Sequence, residues 1–408
     1  MKILLLNQVF HPDVVSTAQH LSGLAVALQA LGHEVTAVTG RRAYDEPDRT
    51  FPAQETWRGV RIIRVFSTRF GKHARWRRAA DFASFMLFCG ARLLLLPRQD
   101  VVVTLTTPPL ISFIGAWRAK LWRARFVYWV MDLNPDEAVA AGWLRADSVA
   151  DRMLERMSRF SLRRADRTIA LDRFMSDRIA SKGIAREKIV VIPPWSQDQD
   201  VNFDAIGREQ FRIAHGLQDK FVVMYSGNHS PVHPLDTLMQ AADALRAEKQ
   251  ILFCFVGGGS EFKRIQRRAQ EAKRANILCL PYQPLNRLAA SLSAADAHVV
   301  VMGDAMLGLV HPCKIYNVLL VGGPVIYIGP APSHVTELLQ APNAHRPWIG
   351  VQHGQPEQLA AFIRGLAENA GSIPRGTTGK IAGAFSESAV LPQMISAIEG
   401  SSPAGLRQ

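Results

Sequence analysis

The chain has 408 residues, 48% of them hydrophobic and 20% charged, and a formal charge of +13. That length exceeds what one ordinary core organises, so two domains are expected, and the hydrophobic fraction excludes a disordered chain. Four cysteines, Cys89, Cys254, Cys279 and Cys313, lie far apart, which excludes a paired zinc spacing and a disulfide framework and fits a reducing compartment.

The basic balance points to an anionic partner: nucleic acid, an acidic lipid surface or a phosphorylated substrate. Met1-Lys-Ile-Leu-Leu-Leu-Asn reads as a buried first strand, its apolar run being too short for a signal peptide. No run reaches the roughly 20 apolar residues that span a bilayer. The nearest, Phe82 to Leu96, is broken by Gly90 and Arg92.

In the first half, strands are expected at 2–7, 34–39, 61–66, 101–105, 125–130, 167–171 and 189–192. They are short, rich in Val and Ile and apolar on both faces, as in a parallel sheet covered by helices. Between the first two strands, Leu21, Leu24, Ala25, Ala27, Leu28 and Leu31 recur at helical spacing, with Gly32 as a C-cap. Pro193-Pro-Trp-Ser-Gln-Asp breaks the pattern and marks a linker. The alternation restarts with strands at 221–226, 251–256, 277–280, 297–302 and 325–328. Helices are expected near 234–246, 262–272, 284–293 and 336–340. The stretch 356–399 is helical in pattern without a strand. The fold class is therefore α/β, with two doubly wound, Rossmann-like domains facing a central cleft. Their ligands belong beyond the carboxyl ends of the strands. The expected boundaries are 1–195, 205–375 and a tail, 376–408.

Chemistry-bearing residues gather at those strand ends. After the first strand come His11, Asp13 and Thr17, expected on the acceptor side of a cleft; the plainer reading is loop and helix-cap residues. Asp132 follows the strand at 125–130. Asn134 as N-cap, Pro135 at the first helical position and the acids Asp136 and Glu137 account for its neighbours structurally. Asp132 is left over: a carboxylate there can accept a proton from a hydroxyl, or can simply hydrogen-bond the adjacent loop. In the second half, Gly227 permits close backbone approach, and Asn228 and His229 offer polar groups to phosphate or sugar oxygens. Gly257-Gly258-Gly259-Ser-Glu261 is a strand, glycine turn and helix without the dinucleotide spacing, so NAD is not indicated. Pro312-Cys-Lys314-Ile-Tyr316 opens a short helix that runs to Gly322-Gly323. A cation at a helix N-terminus is a site for a phosphate or diphosphate, and Lys314 there can stabilise negative charge that develops in a reaction; the plainer reading is a surface lysine.

The first half also carries a basic, apolar region. From Arg58 to Ala80 there are eight Lys or Arg and no acid. Phe82 and Phe85 follow, and Trp117 and Trp122 interleave with Arg118, Lys120 and Arg123. Arg75, Trp76, Arg77, Arg78, Phe82, Phe85, Trp117 and Trp122 are read as facing an anionic membrane surface. The alternatives are a solvated basic face or nucleic acid, though no nucleic-acid motif accompanies the charge.

Taken together, the segments with His11-Pro-Asp13, Gly32-His-Glu-Val35, Asp132-Leu-Asn-Pro135, Gly227-Asn228, Val256-Gly-Gly-Gly and Pro312-Cys-Lys314-Ile-Tyr316 with Gly322-Gly-Pro324 resemble family-4 glycosyltransferases of the GT-B architecture, in particular a WbuB-like subgroup. The resemblance runs from Met1 to about Gly329. It implies an enzyme that moves a sugar from a nucleotide donor, often UDP-linked, with retention at the anomeric carbon. It implies no metal and no cofactor. It also implies Gly227, Asn228, His229, Gly258, Gly259, Glu261, Pro312 and Tyr316 around the donor. The implied acceptor is a polyprenyl-diphosphate-linked or other glycan, at the cytoplasmic face of an inner membrane. The chain departs from the wider family at three places. Leu309 and Asn317 stand where many members have paired glutamates, His233 where many have Lys or Arg, and Met131 where some have histidine. Competing readings are a UDP-sugar 2-epimerase and a non-catalytic binder of nucleotide sugar or lipid.

Overall fold

The computed structural model describes residues 1–44, 48–71, 75–196, 201–271, 274–341, 346–372, 376 and 383–400. The chain divides into two compact units. The first comprises Met1–Gln197, Gly308–His311 and Glu387–Gln408; the second comprises Asp198–Leu307 and Pro312–Ser386. Sequence pattern gave no sign that four residues near position 310 return to the first unit.

The first unit is built on β1 (Lys2–Leu6), β2 (Glu34–Gly40), β3 (Gln54–Trp57), β4 (Val60–Val65), β5 (Val101–Thr104), β6 (Arg125–Trp129), β7 (Arg167–Ala170) and β8 (Ile189–Val191). They form one sheet in the order β3-β4-β2-β1-β5-β6-β7-β8. All pairings are parallel except the β3–β4 hairpin. That hairpin was not expected: Gln54-Glu-Thr-Trp57 is too polar to read as sheet, because it adds to the edge. Its helices are α1 (Ser16–Ala30), α2 (Arg75–Leu94), α3 (Ile111–Trp122), α4 (Asp136–Ala140), α5 (Val149–Arg164) and α6 (Arg173–Ser181). The steps β4→β5, β5→β6 and β6→β7 all move the same way across the sheet. Right-handed crossovers therefore put α2, α3 and α5 side by side on one face, and α1 on the other.

The second unit opens with α7 (Ala205–Ala214). It then alternates β9 (Phe221–Asn228), α8 (Asp236–Ala244), β10 (Ile251–Gly258), α9 (Ser260–Glu271), β11 (Ile277–Leu280), α10 (Leu288–Ser293) and β12 (Ala297–Val301). There follow α11 (Lys314–Val321), β13 (Val325–Ile328), α12 (His334–Gln340), β14 (Trp348–Val351) and α13 (Pro356–Glu368). Its sheet is wholly parallel, in the order β11-β10-β9-β12-β13-β14. The last strand, β14, escaped the sequence reading because Gly350 interrupts its apolar run. A final helix, α14 (Glu387–Glu399), sends Val390, Met394, Ala397 and Ile398 into the core of the first unit.

Two buried clusters cover the faces of the second sheet, one around Tyr225, Phe253 and Phe255, the other around Val222, Met224 and Cys254. They hold the carboxyl ends of β9 and β10 in register, pairing Gly257 with Gly227 and Gly258 with Asn228. Gly257 has φ 137, and a Cβ there would run into the Gly227 carbonyl. Both the backbone region and the contact exclude a side chain. Gly257→Ala is expected to lower the thermal midpoint by roughly 4–8 °C, given a cost of about 1–3 kcal/mol for such strain. A melt that matches the wild type would show that this turn relaxes freely.

Candidate functional site

Lys314 is the first residue of α11 and follows Cys313, whose backbone caps the helix without a side-chain bond. Its Nζ is buried, has no hydrogen-bond partner among the described residues, and lies 3.6 Å from the centre of the Tyr225 ring. A Cβ on Gly227 would stand 3.3 Å from that Nζ, so the glycine leaves the ammonium its space. A cation over a π face gains part of what it loses in hydration, though less than a carboxylate partner would give. Burial accordingly brings the Lys314 ammonium down to about 7.

Two histidines flank it. His229 is fully buried between Tyr225 and Phe262. Its Nδ1–H donates to the Gly227 carbonyl at 2.8 Å, which leaves Nε2 as an unpartnered acceptor in the neutral ring. Burial first, then the Lys314 charge, lowers His229 to about 4. The same two causes lower His233 to about 3, and its Nδ1 also lacks a partner. Tyr225 donates its hydroxyl to the Asn228 carbonyl at 3.0 Å, and burial raises its phenol out of the titrating range. One end of β9 thus presents an unneutralised cation beside two neutral imidazoles, a receptor for a multiply charged oxyanion with hydroxyls around it.

The other residues expected around a donor take mixed places. Gly258 and Gly259 form the turn into α9. Gly258 lies under the Tyr282 ring and Gly259 against the Asn228 side chain. Glu261 is spent on an ion pair with Arg264 at 2.6 Å, although its backbone N–H also reaches the His229 carbonyl. Pro312 is buried, and Tyr316 packs its ring on Phe385 at 4.6 Å.

In the first unit, Asp132 follows β6. Burial is what raises its carboxyl, and Glu137 is raised by burial and by the Asp132 charge. The expected Asn134 cap is not formed: Pro135 is the N-cap of α4, and the Asn134 amide donates instead to Glu137 Oε2 at 3.0 Å. Asp136 is neutralised by Lys182 at 2.7 Å. Neither Asp132 nor Glu137 makes an ion pair of this kind among the described residues, although the Arg78 charge partly offsets the rise at Glu137. Glu137 is the partner that sequence reading absorbed as an ordinary first-turn acid.

The loop after β1 is more structural than expected. His11 stacks on Trp57 at 3.9 Å, and burial lowers its imidazole. Asp13 accepts the Tyr44 N–H at 3.0 Å. Thr17 stands half-buried in the first turn of α1, whose N-cap is Val15. Residues missed in the sequence include His20, which is lowered to about 4 by burial and held between the Ser16 and Trp195 carbonyls. Tyr225 was missed too; its position two residues before Gly227 is the only signal that could have found it.

A glycosyl transferase 4-like domain model matches residues 17–195, and a glycosyl transferases group 1 model matches residues 207–328. The chain belongs to the family-4 glycosyltransferases. WcaI of Escherichia coli (strain K12), which carries the name of a colanic acid biosynthesis glycosyl transferase, is 26% identical over 388 residues, covering 90% of this chain and 92% of WcaI. Among solved structures, sucrose-phosphate synthase from Thermosynechococcus elongatus has a TM-score of 0.73 at 17% identity, covering 98% of this chain and 99% of that one. Anabaena HepE, solved in complex with UDP-glucose, has a TM-score of 0.68 at 16% identity, covering 98% and 100%. These likenesses give the GT-B fold, and the transferase is an enzyme of polysaccharide biosynthesis.

The basic, apolar region of the transferase needs correction. Phe85 and Trp122 do not face outward: Phe85 is fully buried and Trp122 is 7% exposed, both in the core of the first unit. Trp76 and Trp117 are exposed, and Leu87, Leu94 and Leu121 join them on the outer surface. Arg77 and Arg78 are exposed, each over a neighbouring ring, Trp76 and Phe82 respectively. Phe82 is half-buried. Arg75 opens α2, and its side chain lies outside the described residues. Arg64 leaves the basic run altogether, because its guanidinium is buried on the Pro52 and His11 carbonyls and Glu55. No described helix is long and apolar enough to cross a membrane.

Proposed function

We propose that this transferase moves a sugar from a UDP-linked donor, with retention, to a polyprenyl-diphosphate-linked or other membrane-borne glycan. The observation that carries the reading is the buried, unpartnered Lys314 ammonium at the end of β9. The UDP-glucose bound by HepE supports the donor class, and the colanic acid name of WcaI supports a polysaccharide product. An anionic membrane at the cytoplasmic face is the partner that brings the acceptor.

In this reading the bond between the anomeric carbon and the diphosphate oxygen breaks, and the negative charge left on the diphosphate is met by Lys314 and the first amides of α11. Charge that grows in the transition state is where a fixed cation contributes most. The acceptor oxygen bonds to the anomeric carbon on the face the leaving group occupied, and its proton passes to Asp132. A carboxylate held above its ordinary value is the stronger base. The diphosphate is held by side chains and helix amides, without a metal or other cofactor.

The test combines donor choice with proton counting. UDP-, GDP- and TDP-sugars are titrated calorimetrically in buffers of different ionisation enthalpy. Lys314 is protonated below about 7 in the free protein, and a bound diphosphate raises it. Binding of a UDP-sugar, whose diphosphate does not titrate near neutrality, should therefore take up close to one proton at pH 8 and none at pH 6. Affinity should fall about tenfold per pH unit above 7 until the bound value is reached. His229 and His233 are neutral throughout that window and contribute nothing. Selective binding of another nucleotide would replace UDP; binding to none would sink the donor assignment.

A further inference from the structure

The outer surface of the helical layer in the first unit carries a feature that sugar transfer leaves unused. On α5, Arg152, Arg156, Arg159 and Arg163 recur at i, i+4, i+7 and i+11, the spacing that lines up one helical face. All four are exposed, while Ser158, Ser161 and Leu162 point to the core. Next to α5 in the layer lies α3, with the Phe113 and Phe160 rings in contact at 5.4 Å. Beyond it lies α2, whose outward stripe runs Trp76, Ala83, Leu87, Ala91, Leu94 over about 30 Å of helix. Leu87 is 70% exposed and Leu95, just past the helix, 75%. Trp117 and Leu121 on α3 continue the apolar ridge.

The occupant must satisfy both stripes. A nucleic acid pairs with the arginines and leaves the leucines in water. A second copy brings another chain of charge +13 to the same contact. A bilayer with anionic headgroups takes the arginines at its phosphates and the leucines below them. We infer that the α2–α3 ridge and the α5 arginine stripe form one docking surface for an anionic phospholipid bilayer. This rests on the membrane-borne acceptor proposed above and names the surface that meets the membrane.

The test is co-sedimentation of the full chain with phosphatidylcholine vesicles, with and without phosphatidylglycerol. Thermal stabilisation by UDP-glucose is measured in parallel. The wild type should bind only the mixed vesicles, with salt weakening the binding. R152Q/R156Q/R163Q should lower the partition constant about a hundredfold, at roughly fivefold per arginine. Arg159 is kept because it pairs with Glu155 at 2.6 Å. L87S/L94S/L95S should remove the part of the binding that survives high salt. Both variants should keep the wild-type response to UDP-glucose, which shows that they fold. Equal vesicle binding by all three proteins overturns the inference. So does self-association lost in both variants, or duplex nucleic acid bound equally well without the leucines. A wild type that responds to UDP-glucose but binds no vesicle overturns this surface alone and leaves the transferase reading standing.

Discussion

Lys314→Ala is expected to abolish stabilisation by UDP-sugar and to lower transfer by about 10²–10³, the usual loss when one fixed group facing developing charge is removed. The variant should nevertheless fold as well as the wild type, or better. The Nζ is buried over the Tyr225 ring without a hydrogen-bond partner, so the native state bears a desolvation cost that alanine removes. The sign follows from the shift. Lys314 is brought below its ordinary value to about 7, so the native state binds its proton less well than the unfolded chain does. Its destabilising effect is present in full below about 7 and fades as pH rises from there to the unfolded lysine value. Thermal melts with and without UDP-sugar, at pH 6 and pH 8, check both parts. A Lys314→Ala protein that melts earlier but still responds to UDP-sugar would make the lysine a structural residue and remove it from the chemistry.

Asp132→Asn should lower transfer by about 10²–10⁴, the span of general acid–base contributions, while UDP-sugar binding stays unchanged. The substitution keeps shape and removes only the carboxylate. It also acts on Glu137, whose carboxyl is held up partly by the Asp132 charge. Both carboxyls stand above their ordinary values, so their ionised forms cost native stability; that cost builds as pH rises from the unfolded carboxylate values and is complete above the folded ones. The Asn variant should therefore be more stable than the wild type at pH 8, keep part of that advantage at pH 5 and lose it below about pH 4, the unfolded aspartate value. Steady-state transfer with a lipid-linked acceptor, together with melts across that range, checks both. Unchanged transfer would leave Asp132 a loop residue.

Much of this was readable in the residues. The apolar Val- and Ile-rich segments fixed two parallel sheets, because strands buried on both faces admit little else. Gly227, Gly257 and Lys314 were legible because left-handed backbone and a helix-start cation leave marks in sequence. Glu137 was not legible as the partner of Asp132, since a first-turn acid already has a local explanation. The hairpin at β3 escaped because edge strands need not be apolar.

What the sequence determined by itself is the kind of molecule: two doubly wound units, a cation at the start of a short helix, and a first unit rich in arginine and apolar groups. What only the tertiary structure decided is which atoms face which. It set Tyr225 beneath Lys314, turned Phe85 and Trp122 inward and Leu87 and Leu94 outward, and returned Gly308–His311 to the first unit. Periodicity along a chain specifies that a helix has two faces. Which face is buried depends on the neighbours that crossover handedness brings beside it, and those lie far away in sequence.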